Sequence, residues 1–284
     1  MNTPTYSRIR VAQDRGVATV TINNPPVNVL DVALMSDIQR FLTAVHDDPR
    51  TRVILFQSAD PDFFIAHVDM QLIDEPHAFD DVAQAVPGGL NPFQALGEMI
   101  RAQPQLTIVK LEGLARGGGA EFVAAADMAF AAIGRAGLAQ CEALMGIIPG
   151  GGATQYLAHR MTRGRALEVV LGADLVDALT AERYGWVNRA LPADELDTFV
   201  RRIAHNIASL PDGVIGAAKK ALPPQDLREG FQREHEAWAG LFARPAAEAL
   251  IRGGLRAGAQ TKAGEKNLET LLRDLSSSLG LHSA

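Results

Sequence analysis

Two acids in this chain stand beside runs of glycine. Glu121 lies two residues after three consecutive glycines in RGGGAEFVAAAD, Arg116 to Asp127. Glu142 precedes an apolar run that ends in a second cluster, Gly150 to Gly152, in AQCEALMGIIPGGGATQYL. A glycine run entering a helix often cradles a phosphate. A P-loop, however, requires Lys and Ser/Thr after the glycines, and a dinucleotide fingerprint requires a third glycine where Phe122 stands. What remains is a helix N-terminus, whose first N–H groups lack intrahelical acceptors and carry the positive end of the macrodipole. Glycine leaves those groups uncovered and lets a ligand approach the backbone. Such a site suits an oxygen that becomes negative during a reaction, with Glu121 one turn further on, near the reacting atoms. The alternative for the glycines is a tight strand-to-helix packing joint, and for Glu142 a solvated acid at a helix start.

The elements that must position these residues alternate between two periods. VATVTI (Val17 to Ile22) and VILFQS (Val53 to Ser58) are short, apolar and β-branched, as buried strands are. Between them Leu34, Ile38, Phe41, Leu42 and Val45 trace one face of a helix, with Asp31 as its N-cap. LTIVKLEG (Leu106 to Gly113) reads as the strand that feeds the glycine run. MAFAA (Met128 to Ala132) and WVNRAL (Trp186 to Leu191) read as further strands. Helices are expected around Gly164 to Leu171, at Ala181 to Tyr184, and along the stripe Leu196, Phe199, Val200, Ile203 and Ile207. Such alternation indicates an α/β architecture. The stretch from Asp74 to Pro92 mixes acids, Pro and Gly and reads as a mobile loop with some helix. After Pro223–Pro224 the strands stop. Trp238, Leu241, Phe242, Leu268, Leu271, Leu272 and Leu275 then mark helices that must pack on the body or on a neighbouring subunit.

With 284 residues, 47% of them hydrophobic and 21% charged, the chain can bury a sizeable core. Its net charge of -6 argues against a nucleic-acid surface. Cys141 is the single cysteine, so neither an intrachain disulfide framework nor a cysteine-based metal site is available. No apolar stretch reaches the length of a membrane span, and the first residues have no signal-peptide core. A reduced, cytoplasmic protein without metal is the expectation.

Three further stretches join the glycine loop: NNPPVNVLD (Asn23 to Asp31), FFIAHVDM (Phe63 to Met70) and the Glu142 segment. In this order they resemble the crotonase, or enoyl-CoA hydratase/isomerase, superfamily over roughly residues 10 to 222. The GGG-x-E and E-x-x-x-G-x-x-P-G-x-G-x-T-Q patterns match almost position for position. The resemblance implies a crotonase-like spiral of β-β-α units over residues 1–222, the catalytic core. It also implies a helical C-terminal region, 223–284, that serves packing and trimerisation. A homotrimer or dimer of trimers is the implied assembly, and an acyl thioester of coenzyme A the implied substrate. No separate cofactor is expected.

Residue by residue, the family pattern puts the backbone N–H groups of Val68 and Gly118 at the thioester carbonyl, as an oxyanion hole for an enolate. It assigns Glu121 to the attacking water and Glu142 to the proton on the α carbon, the two acids of a hydratase. Two close carboxylates also tend to hold a proton between them. Ala66, His67, Asp69, Gly117 and Gly150 are implied to line the substrate. His67 replaces a usual glycine, Cys141 a usual proline, and Val27 a basic residue that many relatives place near the nucleotide. The spacing from Glu121 to Glu142 is one residue longer than is typical. Lys219, Lys220, Arg228 and Arg233 are candidates for the charges of coenzyme A; each otherwise reads as a solvated surface residue. Hydration of a 2-enoyl-CoA is the leading expectation. The alternatives are Δ3,Δ2-isomerisation, which needs one glutamate, another acyl-CoA reaction, or a non-catalytic binding protein.

Overall fold

The computed structural model describes residues 5–75, 77–79 and 89–280. Ten strands lie among them: β1 (Ile9–Asp14), β2 (Val17–Ile22), β3 (Val53–Ser58), β4 (Phe63–Ile65), β5 (Leu106–Leu111), β6 (Leu114–Arg116), β7 (Met128–Ala132), β8 (Gly137–Ala139), β9 (Val176–Asp177) and β10 (Arg189–Leu191). The larger sheet runs β1-β2-β3-β5-β7-β10 and is parallel except for the β1–β2 pair. The smaller runs β4-β6-β8-β9. The pairs β3–β4, β5–β6 and β7–β8 each place one strand in either sheet. A parallel neighbour cannot be reached by a tight turn, so a helix carries the chain back each time. Val32–Val45 precedes β3, Pro92–Arg101 precedes β5, and Gly118–Ala125 precedes β7. This is the expected spiral of strand, strand and helix.

Burial on both faces explains why the strands of the larger sheet read as continuous apolar runs. Val20, Ile22, Val53, Ile54, Phe56, Ile108 and Val109 are all fully buried. The Val32–Val45 helix begins where expected, with the Asp31 carboxylate accepting from Leu34 N–H at 2.7 Å. Phe122, in the helix Gly118–Ala125, meets Phe56 of β3 and Phe64 of β4 edge to face, with centroids 5.0 and 5.7 Å apart. One ring thus ties the helix that carries Glu121 to both sheets.

Some elements differ from the sequence reading. β1 is an edge strand with one buried residue, so its polar pattern hid it. Three-residue strands such as β4, β6 and β8 are too short to show a period. WVNRAL contributes a strand only from Arg189: Trp186 is tied back to the preceding helix, and Asn188 makes a first contact with β7. The Trp186 N–H donates to Ala181 O and the Asn188 N–H to Ala129 O, both at 2.8 Å. Much of the stretch expected as a loop, residues 76 and 80–88, lies outside the described residues.

The C-terminal helices Arg228–Phe242, Pro245–Ala257, Lys262–Glu265 and Leu268–Ser278 settle where the late leucines go. Ala247, Ile251, Leu268 and Leu272 pack on Met70, Cys141, Met145 and Ile147 of the body. Leu171 and Leu222 remain exposed, at 64% and 82%. Among the described residues no helix is long and apolar enough to cross a membrane.

Candidate active site

The glycine run occupies the junction between β6 and the helix Gly118–Ala125. Gly117 caps that helix with φ +46°, a conformation that a side chain resists. A Cβ there would also come within 2.8 Å of Glu142 Oε1. A Cβ on Gly118 would lie 2.6 Å from Val68 Cγ2 and 3.8 Å from the Val68 nitrogen. One on Gly119 would collide with the Ile65 carbonyl, so this third glycine lets the helix sit down on β4. The packing joint and the open backbone are therefore both present, on successive residues.

Val68 borders the same space. Leu30 N–H donates to His67 O at 2.8 Å and Asp69 N–H to Leu30 O at 3.2 Å, a parallel bridge centred on Val68. Both polar groups of Leu30 reach the neighbours of Val68, so the bridge leaves those of Val68 itself unused. Val68 N–H is therefore not spent on Leu30, and its nitrogen lies 3.8 Å from where a Cβ on Gly118 would stand. Among the described residues neither Val68 N–H nor Gly118 N–H has a protein acceptor. The helix end accounts for the second, since the first N–H groups of a helix have none within it.

The two acids flank this pair of donors. Glu121 sits in the first turn of the helix, 5% exposed, with Oε1 accepting from Gly151 N–H at 2.8 Å and Ala153 N–H at 3.1 Å. A side chain on Gly151 would strike its other oxygen, so the second glycine cluster exists partly to admit this carboxyl. Glu142 opens the short 3-10 turn Glu142–Met145 and is 8% exposed. With its amide turned so that the nitrogen faces the acid, Gln140 donates to it, 3.1 Å from Oε2. Burial pushes the Glu142 carboxyl up to about 7, with Glu234 adding to the rise and the His67 charge opposing it. Burial also raises Glu121 well above the carboxylate range, helped by the charges of Glu142 and Glu234 and opposed by its two backbone donors. Beside Glu121, Leu30, Phe93, Leu96, Ile100, Gly118 and Gly151 line a narrow cavity of about 10 Å³. That is about the room one water molecule needs.

The remaining expected site residues fall at different distances from these donors. Ala66 is fully buried and pairs its backbone with Val27 and Arg116. Asp69 caps the turn Met70–Asp74 through Gln71 N–H and accepts from the Gln260 side chain at 2.8 Å. Gly150 leaves room for the Trp238 ring, which a Cβ would approach to 2.9 Å. His67 was expected to line the substrate, yet its ring is 3% exposed, with Nδ1 2.7 Å from Val68 O and Nε2 2.8 Å from Glu265 Oε1. Val27 is fully buried with Phe63 and Ala66. Lys219 binds Asp127 at 2.6 Å, past the C-terminal end of the helix whose other end carries Gly118. That helix is roughly 12 Å long, which removes Lys219 from the pair of donors. Arg228 is bound to Asp226, Arg233 lies 3.8 Å from Glu229, and Lys220 is exposed.

Two sets of buried ionisable residues escaped the sequence reading. Glu234, 3% exposed, accepts from Gly152 N–H at 2.7 Å, Thr154 N–H at 3.0 Å, the Thr154 hydroxyl, and Gln94 at 3.1 Å. It holds the loop that receives Glu121. Arg116, Glu265 and Glu269 form the second set. Arg116 is fully buried and binds Glu269 through Nε at 2.6 Å and Nη2 at 3.0 Å. A signal did exist for the first set: Glu234 shares a helical stripe with Phe231 and Trp238. An acid on an apolar stripe needs a buried partner.

Three comparisons bear on this site. The family model for enoyl-CoA hydratase/isomerase matches residues 12–263. A provisionally named enoyl-CoA hydratase of Mycobacterium bovis is 30% identical over 243 residues, covering 84% of this chain and 91% of the relative. The crotonyl-CoA hydratase of Syntrophomonas wolfei is 29% identical over 234 residues, covering 81% and 84%. A crystal structure from Streptomyces avermitilis, also provisionally named an enoyl-CoA hydratase, is 60% identical with a TM-score of 0.95. It covers 96% of this chain and the whole of that one.

Proposed function

The chain belongs to the enoyl-CoA hydratase/isomerase family, and from that premise we propose that it adds water across the double bond of a 2-enoyl thioester of coenzyme A. The observation that carries this reading is the pair of buried carboxyls, Glu121 and Glu142, on either side of two unpaired N–H groups. In this reading the thioester oxygen accepts from Val68 N–H and Gly118 N–H. Glu121, in the ionised form that its two backbone donors Gly151 N–H and Ala153 N–H stabilise, takes a proton from water as its oxygen bonds to the β carbon. The electrons of the double bond move onto the thioester oxygen, giving an enolate that the two donors stabilise. Glu142 then delivers its proton to the α carbon, leaving a 3-hydroxyacyl thioester. A carboxyl raised to about 7 has that proton to give near neutrality. Isomerisation would use one acid, so the presence of two supports hydration.

Coenzyme A enters as part of the substrate, with no separate cofactor. The C-terminal region is assigned to packing and to a homotrimer or dimer of trimers.

The test mixes the purified protein with crotonyl-CoA and longer 2-enoyl-CoAs, follows loss of the conjugated thioester absorbance, and weighs the product. A water adduct formed by wild type and lost in Glu121→Gln and Glu142→Gln is expected. Failure to turn over any enoyl thioester overturns the proposal, and full activity in Glu121→Gln moves the assignment to isomerisation.

A further inference from the structure

A histidine beside the Val68 donor, given no role in the water chemistry above, is locked in place from both sides. His67 Nδ1 lies 2.7 Å from Val68 O, and a carbonyl can only accept, so Nδ1 carries a proton. Nε2 lies 2.8 Å from Glu265 Oε1, an oxygen that also accepts Gln260 N–H at 2.8 Å. Charge counting decides the second proton. Arg116, 0% exposed, spends its bidentate face on Glu269, and its remaining Nη1 stands 3.6 Å from Glu265 Oε2 without a hydrogen bond. One guanidinium therefore faces two carboxylates, the partly exposed Glu269 and the fully enclosed Glu265, and spends its bidentate face on the first; Glu265, 0% exposed, needs a second cation. The imidazole of His67 is the group in contact with it.

We infer that His67 is a positioning residue for the oxyanion hole: an imidazolium, paired with Glu265 of the C-terminal segment, that clamps the Val68 carbonyl and so aims the Val68 N–H over Gly118. The His67 carbonyl completes the clamp by accepting Leu30 N–H, which orients the peptide that carries the Val68 donor. The inference rests on Val68 and Gly118 forming the hole. It makes the C-terminal segment part of the site, because residue 265 then controls a donor 197 positions earlier.

The charged and titratable groups facing His67 are Glu265 and Arg116, with Glu142 acting across the loop; Glu269 and Cys141 act through Arg116. Their sum favours the imidazolium, holding it above the ordinary histidine value: burial opposes the charge and Glu265 outweighs it. A group raised in this way keeps its interaction at low pH and loses it as pH rises through the folded value. Once Nε2 loses its proton, its lone pair meets the Glu265 carboxylate and the clamp loosens on the alkaline side.

Steady-state kinetics of the full chain with crotonyl-CoA, at roughly pH 6 to 10, tests this in His67→Leu, His67→Asn and Glu265→Gln. Misplacing one reacting contact by about 1 Å costs about a hundredfold, so His67→Leu should lose about that in kcat with KM little changed. His67→Asn keeps a donor for Val68 O; it should recover much of the loss and show no alkaline limb. Glu265→Gln should move that limb to lower pH. Nitrogen-15 spectra should show His67 with both ring nitrogens protonated at pH 7. Wild-type kcat in a folded His67→Leu, or a neutral ring at pH 7, overturns the inference while leaving hydration intact. If His67→Leu does not fold, the other two variants and the ring spectra decide. If wild type hydrates nothing, the hydration reading falls separately. Hydrogen exchange at Val68 then decides this one: faster exchange in Glu265→Gln, with His67→Asn close to wild type, supports the clamp, and unchanged exchange in Glu265→Gln refutes it.

Discussion

Replacing Glu142 by glutamine should stabilise the fold above neutral pH while removing hydration. The carboxyl is buried and lifted from the ordinary glutamate value of 4.5 to about 7. Between those two values the folded protein keeps a proton that the unfolded chain has released. A group raised on folding contributes its full stability below the unfolded value and loses it as pH rises through the folded one. At 1.36 kcal/mol per pH unit, the loss attached to this one carboxyl is about 3 kcal/mol. Glutamine has the shape of the protonated acid and cannot ionise, so the variant carries no such loss. Urea unfolding followed by tryptophan fluorescence suits the measurement, because Trp186 is fully buried. The two proteins should be equally stable near pH 4.5, and the variant should draw ahead by about 3 kcal/mol by pH 8. Most of that gain should fall between pH 5 and 7. A stability difference that does not change with pH would refute the burial argument, and so would a variant less stable than wild type at pH 8.

Three further perturbations probe the site from other sides. Gly118→Ala puts a methyl 2.6 Å from Val68 Cγ2, in the space between the two donors; kcat should fall at least about a hundredfold, with the circular dichroism spectrum retained. Glu234→Ala strips the acceptor from Gly152 N–H, Thr154 N–H, the Thr154 hydroxyl and Gln94. Unmet buried donors cost about 1–3 kcal/mol each, so urea unfolding should show a loss of about 3 kcal/mol or more, smaller in Glu234→Gln. Phe122→Ala removes the ring that meets Phe56 and Phe64; a loss of about 3–5 kcal/mol is expected by thermal unfolding.

Much of this molecule is readable from local pattern. The buried strands at Val17–Ile22, Val53–Ser58, Leu106–Leu111 and Met128–Ala132 are apolar along their whole length because both faces of the sheet are covered. The Asp31 cap and the stripe from Leu34 to Val45 depend on neighbours within a few residues. Three-residue strands carry no such pattern. They exist because β4, β6 and β8 line up beside each other only after the longer strands have brought them there.

The same division runs through the site. Residue identity and spacing singled out Glu121, Glu142, Gly118 and the family pattern around them, since a glycine-started helix and an acid one turn on are neighbours in the chain. Only the tertiary structure placed the His67 ring on Glu265, set Glu234 under the second glycine loop, and closed Arg116 between two acids. Those contacts join residues 82 to 198 positions apart. Buried charge is stable only beside opposite charge or hydrogen-bond donors, and which partner arrives is decided by packing that no local pattern records.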